Sequence, residues 1–199
     1  MHIDRGNPLP GLLTDADRPA CVQYVACWLD DDDRWMASLV HAVAWEQPTV
    51  TVFGRHHPTP RLTAWYGDAA YSYSGITHPA AAFPPPLAQI RDQLQATTAV
   101  RFNSCLANLY RDGSDSMGAH ADNEPELGAE PTIASVSLGA RRRFVMTHVE
   151  SGERFTWPLG NGDLLVMSGE SQRDYRHAVP KTSARVGPRL NLTFRVFST

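Results

Sequence analysis

Residues 189–196 read Arg-Leu-Asn-Leu-Thr-Phe-Arg-Val. So strict an alternation fits an extended strand, whose side chains point to opposite faces with a period of two. Arg189, Asn191, Thr193 and Arg195 then share one face, and Leu190, Leu192, Phe194 and Val196 the other. The apolar face needs a second layer to cover it. The polar face could meet solvent. With two guanidinium groups around an amide and a hydroxyl, it would equally suit a small dianion, because Arg clamps carboxylates through paired donors.

The stretches before it have the same character. RFNSCLANLY, TIASVSLG, RRRFVMTHV, RFTWPL and GDLLVMSG follow one another from residue 101, several separated by glycine-containing turns. Successive short strands of this kind predict an antiparallel sandwich or barrel. Val136, Leu138, Phe144, Met146, Leu164, Val166, Phe194 and Val196 are the expected core. Two helices are expected to flank it. One runs from Asp30 to about Ala44 behind an acidic start, burying Trp35, Leu39 and Val43; the other spans 87–97, with Leu87, Ile90 and Leu94 inward. CVQYVACWL (21–29), QPTVTVFGR (47–55) and YSYSG (71–75) read as short strands. HHPTPRLTAWYGD (56–68) reads as loop and turn, and the proline-rich 77–86 as a connector without helix.

His120 and Asp122 stand two positions apart in GAHADNE, and His177 follows Asp122 by 55 residues. In an extended segment the first two share a face. Two imidazoles and a carboxylate can hold one face of an octahedral Fe(II) and leave positions open for other ligands. Taken alone, the spacing is met as well by two polar loop residues and an unrelated histidine. His2, His41, His56, His57, His78 and His148 lack a comparable carboxylate neighbour and are expected at the surface or in packing.

With 199 residues, 42% hydrophobic and 20% charged, the chain suits a single folded domain and not a disordered one. No apolar run approaches the 18 residues of a membrane span, and MHIDRGNPLP does not read as a signal peptide, so no membrane partner and a cytoplasmic location are expected. Three cysteines without a CxxC pair fit a reducing compartment. A net charge of −3 speaks against binding nucleic acid through the surface as a whole. Arg141–Arg143 and Arg55 with Arg61 remain local basic clusters.

NLY (108–110), HAD (120–122), His177 and RLNLTFR (189–195), in this order and spacing, resemble the AlkB family of Fe(II)- and 2-oxoglutarate-dependent dioxygenases. The resemblance runs from Gln47 to Phe197. It implies a mainly β fold with flanking helices, a double-stranded β-helix or jelly roll, with an N-terminal nucleotide-recognition lid. It divides the single domain into an N-terminal extension and helix (1–46), a lid with its supporting helix (47–98) and the catalytic core (99–199).

By the same resemblance His120, Asp122 and His177 hold Fe(II). Arg189 takes the distal carboxylate of 2-oxoglutarate and Arg195 supports the one beside the metal, with Asn191, Asn108 and Tyr110 completing its contacts. O2 is the other cosubstrate. The implied reaction is oxidative demethylation of N-alkylated bases such as 1-methyladenine and 3-methylcytosine in single- or double-stranded DNA, with release of formaldehyde. RNA or a protein side chain is the alternative substrate, and a binding domain without turnover a further reading. A monomer is expected. A flipped base would stack on Tyr73, with Tyr66 at the entrance or bonded to the backbone, and offer its amine to Glu124. Phe53 would fill the gap left in the duplex, and Arg141 would meet phosphate together with Arg142, Arg143 and Arg55.

Overall fold

The computed structural model describes residues 18–30, 32–52, 55–73 and 76–198. In chain order the strands are β1 (Val22–Val25), β2 (Thr49–Val52), β3 (Arg55–Pro58), β4 (Leu62–Gly67), β5 (Tyr71–Tyr73), β6 (Ile76–His78), β7 (Ser104–Tyr110) and β8 (Met117–His120). They continue with β9 (Ile133–Gly139), β10 (Arg142–His148), β11 (Arg154–Leu159), β12 (Leu164–Met167), β13 (Tyr175–Val179) and β14 (Arg189–Arg195). The helices are α1 (Asp32–Ala42), α2 (Pro85–Thr98) and α3 (Ser171–Asp174).

Six strands form a major sheet in the order β1-β12-β9-β14-β7-β4, and four form a minor sheet, β11-β10-β13-β8. β14 lies inside the major sheet, antiparallel to β7 on one side and β9 on the other. Its two faces serve different layers. Leu190, Leu192 and Phe194 pack with Leu39 of α1, with Val43 just past its end, and with Leu87, Ile90 and Leu94 of α2. Asn191, Thr193 and Arg195 line a cavity between the sheets. A second apolar cluster, including Phe144, Met146, Trp157 and Leu165, fills the space between the sheets beside it. This is the jelly roll that the family resemblance implies, within the antiparallel sandwich that the alternating strands predict, with its helices outside the major sheet.

Several expectations are corrected by the packing. Val196 is 39% exposed, because β14 ends at Arg195 and the next inward side chain is Phe197, which meets Trp65 at 5.2 Å between ring centroids. Residues 56–68 are not mere loop: the prolines flank strands, Pro58 ending β3 and Pro60 preceding β4, and β4 pairs along its whole length with β7. α2 begins on Pro85, two residues earlier than expected, since proline is well suited to a first turn whose N–H has no acceptor. Two strands from outside 99–199, β1 and β4, complete the edges of the major sheet. At the β9–β10 turn Gly139 has φ +78°, and a Cβ there would stand 2.6 Å from the Pro188 carbonyl. That turn requires glycine.

Candidate metal centre

β8 and β13 pair so that His120 lies directly across from His177, their rings 4.2 Å apart. Asp122 follows two residues after β8 and is 4% exposed. One ligand atom from each of the three residues falls within 4.8 Å of the others, the only such cluster among the described residues. The His120 Nδ1 lies 2.9 Å from the Gly118 carbonyl. A carbonyl can only accept, so Nδ1–H is the donor in that bond, and Nε2 is the ring nitrogen turned to Asp122 Oδ1, 3.5 Å away. Burial, reinforced by the neighbouring His120, pushes the His177 pKa down to about 3, so that ring is neutral. Asp122 is the counterpart. Burial alone would raise its pKa, but Arg195 and the two histidines hold it well below the ordinary carboxylate range. Two imidazoles and one carboxylate are a donor set suited to Fe(II).

Arg195 donates from Nε and Nη2 to Asp122 Oδ2 at 3.1 and 2.7 Å. Oδ1 is thereby the oxygen turned to the ligand cluster. At the other end of β14, Arg189 is 1% exposed. Its Nη2 meets Ser137 Oγ at 2.7 Å and its guanidinium lies 5.4 Å over the Tyr110 ring, but its Nε and Nη1 have no hydrogen-bond partner among the described residues. Burial lowers this guanidinium to a pKa of about 10, which leaves it cationic at neutral pH. A buried cation with two unused donors is costly until an anion reaches it. A carboxylate fits that need.

The cavity is walled by Asn108, Tyr110, His120, Asp122, His177, Asn191 and Arg195, among others. Burial raises the Tyr110 pKa, which keeps the phenol protonated and able to donate. Asn108 Oδ1 accepts from Arg61 Nε at 2.8 Å, so its amide nitrogen is the end free to donate. The Asn191 amide is turned to Ser135 Oγ at 2.7 Å and the Val136 carbonyl at 3.2 Å. Arg61 and Ser135 line the cavity as well, and Gln172 holds the Asp122 backbone from behind. Sequence reading had no role for Ser135 or Gln172 and placed Arg61 only in a basic cluster. The in-out alternation of β9 was the one available signal for Ser135.

The residues expected at the substrate are more dispersed. Tyr66 does not reach the cavity. It pairs with Cys105, on the face of β7 opposite Asn108, and its hydroxyl accepts the Ala44 N–H at 3.0 Å within the helix-side core. Arg141 is exposed and lies against Gly160, next to the β9–β10 turn, at the Arg189 end of β14 and away from Asp122. Arg142 is buried and donates to the carbonyls of Asp112, Asp115 and Pro180, so it faces loops and not phosphate. Glu124 is half-buried at the start of the 3-10 turn Pro125–Leu127, outside the cavity wall. Tyr73 belongs to β5, its side chain outside what is described, and Phe53 lies outside the described residues.

The sequence profile of the 2OG-Fe(II) oxygenase superfamily matches residues 28–195. The alpha-ketoglutarate-dependent dioxygenase alkB homolog 3 of Bos taurus is 42% identical over 180 residues, covering 84% of this chain and 62% of that protein. The DNA oxidative demethylase ALKBH2 of Homo sapiens is 40% identical over 156 residues, covering 73% of this chain and 60% of that protein. The chain therefore spans about three fifths of the length of the curated relatives it matches. A solved structure titled "The structure of OsALKBH1" superposes with a TM-score of 0.66, covering 94% of this chain and 99% of that one. At 20% identity it speaks for the fold alone.

Proposed function

The chain belongs to the 2OG-Fe(II) oxygenase superfamily, in its AlkB branch, and from that premise we propose that it removes N-linked alkyl groups from damaged bases in DNA. The observation that carries the reading is one cavity with His120, Asp122 and His177 converging in its wall and a buried, under-bonded Arg189 behind it. The relatives named for DNA demethylation support the choice of substrate.

Fe(II) with 2-oxoglutarate and O2 supplies oxidation when bound: the keto acid leaves as succinate and carbon dioxide, and one oxygen atom reaches the methyl carbon. The protein's part is binding and alignment. His120 Nε2, Asp122 Oδ1 and the neutral His177 ring are the metal's ligands on this reading. Arg189 receives the distal carboxylate, to which its buried cation still has unused donors to offer. Tyr110 and Asn108 supply donors from β7 to the same cosubstrate. Arg195 keeps Asp122 ionised and fixes its orientation, and enters the cosubstrate site from the metal end. A methyl hydroxylated on nitrogen is a hemiaminal and separates into formaldehyde and the bare amine. The apolar walls contributed by Leu106, Met117 and Phe144 limit water at the reacting carbon.

The substrate contacts belong to the same proposal. Tyr73 stacks on the flipped base, Glu124 meets its exocyclic amine, and Phe53 fills the vacated stack in a duplex. The test uses anaerobically prepared protein with Fe(II) and 2-oxoglutarate, exposed to oxygen over matched single- and double-stranded DNA carrying 1-methyladenine or 3-methylcytosine. Formaldehyde and unmodified base should appear only when all three additions are present, and His120→Ala should abolish them. Consumption of 2-oxoglutarate with the bases still methylated would move the substrate to RNA or protein. Phe53→Ala should reduce repair of duplexes more than of single strands; equal loss on both would make Phe53 a packing residue.

A further inference from the structure

Gln172 ligates nothing, yet it is bonded to the ligand set. It sits in α3, 4% exposed, five residues before His177. Its Oε1 accepts the Asp122 backbone N–H at 2.9 Å, joining positions 50 residues apart. Its Nε2 donates to Ser171 Oγ at 3.2 Å and reaches Met167 Sδ at 3.5 Å. The backbone amide of Asp122 can only donate, so the orientation of the Gln172 amide is settled by chemistry.

The location of this bond gives it its consequence. β8 ends at His120, two residues short of Asp122, and the irregularity in its pairing with β13 lies on the far side of the His120–His177 pair, toward Met117 and Val179. No ladder bond therefore holds Asp122 to the strand that carries His177. Gln172 supplies a bond at that gap. α3 ends at Asp174 and β13 starts at Tyr175, so a group fixed in α3 is fixed relative to His177. Asp122 is held at both ends, by Arg195 at its carboxylate and by Gln172 at its main chain.

We propose that Gln172 is a positioning residue of the metal centre, locking the main chain of Asp122 to the segment that bears His177 so that the three ligands keep one spacing. The inference rests on the Fe(II) reading above. Partners that orient metal ligands in this way commonly change metal affinity by about 10- to 100-fold when lost. A glutamine that only filled space would affect stability and leave the ligand geometry unchanged.

The experiment titrates the metal-free full chain with Mn(II) by calorimetry and with Co(II) by its d–d absorption, in wild type, Gln172→Met and Gln172→Glu. Methionine keeps the length and removes the acceptor; glutamate keeps an acceptor oxygen. Gln172→Met is expected to bind Mn(II) at least ~10-fold more weakly. Its Co(II) spectrum should shift, and its metal-free melting temperature should stay near that of wild type. Gln172→Glu should retain wild-type affinity and spectrum. Wild-type affinity and an unchanged Co(II) spectrum in Gln172→Met would overturn the proposal. If Gln172→Met does not fold, Gln172→Glu decides, since weakened binding there despite the retained acceptor overturns it too. Failure of wild type to bind either ion would instead sink the metal reading itself.

Discussion

Arg189 is the residue whose energetics are most exposed to test. Its side chain is buried with Nε and Nη1 unbonded among the described residues, so the cosubstrate-free fold carries a desolvated cation that it does not fully use. Replacing it with methionine should leave the cosubstrate-free protein equally or more resistant to urea. Binding of 2-oxoglutarate should weaken by about 2–5 kcal/mol, the usual loss when one member of a buried charged pair is removed. Titration of 2-oxoglutarate into the Mn(II) form measures the second effect; unchanged affinity would remove Arg189 from the cosubstrate site. A strand face suited to a small dianion was legible in the sequence because Arg189 shares a period-two face with Asn191, Thr193 and Arg195, whereas the distal-carboxylate role of Arg189 is implied only by the family resemblance. The roles of Gln172 and Ser137 were not legible. Their partners lie 50 and 52 positions away, and nothing local records which distant segment each will meet.

At the level of strands and turns, the run Arg141-Arg142-Arg143 shows how register divides residues that look alike. Arg141 and Arg143 are exposed, while Arg142, between them, turns in and bonds carbonyls from two loops. Asp112 and Asp115 belong to the β7–β8 loop, and Pro180 to the β13–β14 connection. Arg142→Ala would orphan three carbonyls and is expected to cost about 3 kcal/mol, since a hydrogen bond to a charged group is worth roughly 1.5–3 kcal/mol and water will recover part of the loss. Arg143→Ala, at the surface, should change stability by less than about 0.5 kcal/mol. Urea unfolding of the two variants makes the comparison. Equal and small effects would mean that Arg142 is not a staple. The strands themselves were readable from alternation, but the inward turn of a single arginine depends on which residue of β10 faces Leu159 of β11. The same limit hid β4, whose flanking prolines resemble a loop until β7 is there to pair with it.

Across the whole molecule, the major sheet draws on residues from both ends of the described chain. β1 pairs with β12 and covers its edge, register running from Val22 with Met167 to Val25 with Leu164. Asp163, 4% exposed, fastens the segment: it accepts the Tyr24 hydroxyl at 3.1 Å and the Cys27 N–H at 3.0 Å, and also takes the Gly160 N–H at 2.8 Å. β12 is fully buried, so an uncovered β12 would present apolar side chains together with a free row of backbone donors and acceptors. The stretch 21–29 was readable as a strand, but its partner was not, because 139 residues separate Tyr24 from Asp163. The consequence extends to the site, since Met167 of β12 lines the cavity and meets Gln172, which holds Asp122. Removing residues 1–27 should therefore cost about 3 kcal/mol or more, from the lost burial of Val22 and the two donors taken from Asp163. It should also promote association through the bare edge and weaken Mn(II) binding even though every ligand remains. Urea unfolding, size-exclusion chromatography and Mn(II) titration of the truncated chain test the three effects together. A truncated protein that stays monodisperse, as stable as the full chain and equally able to bind Mn(II) would show that β12 needs no cover and that the site is independent of this edge.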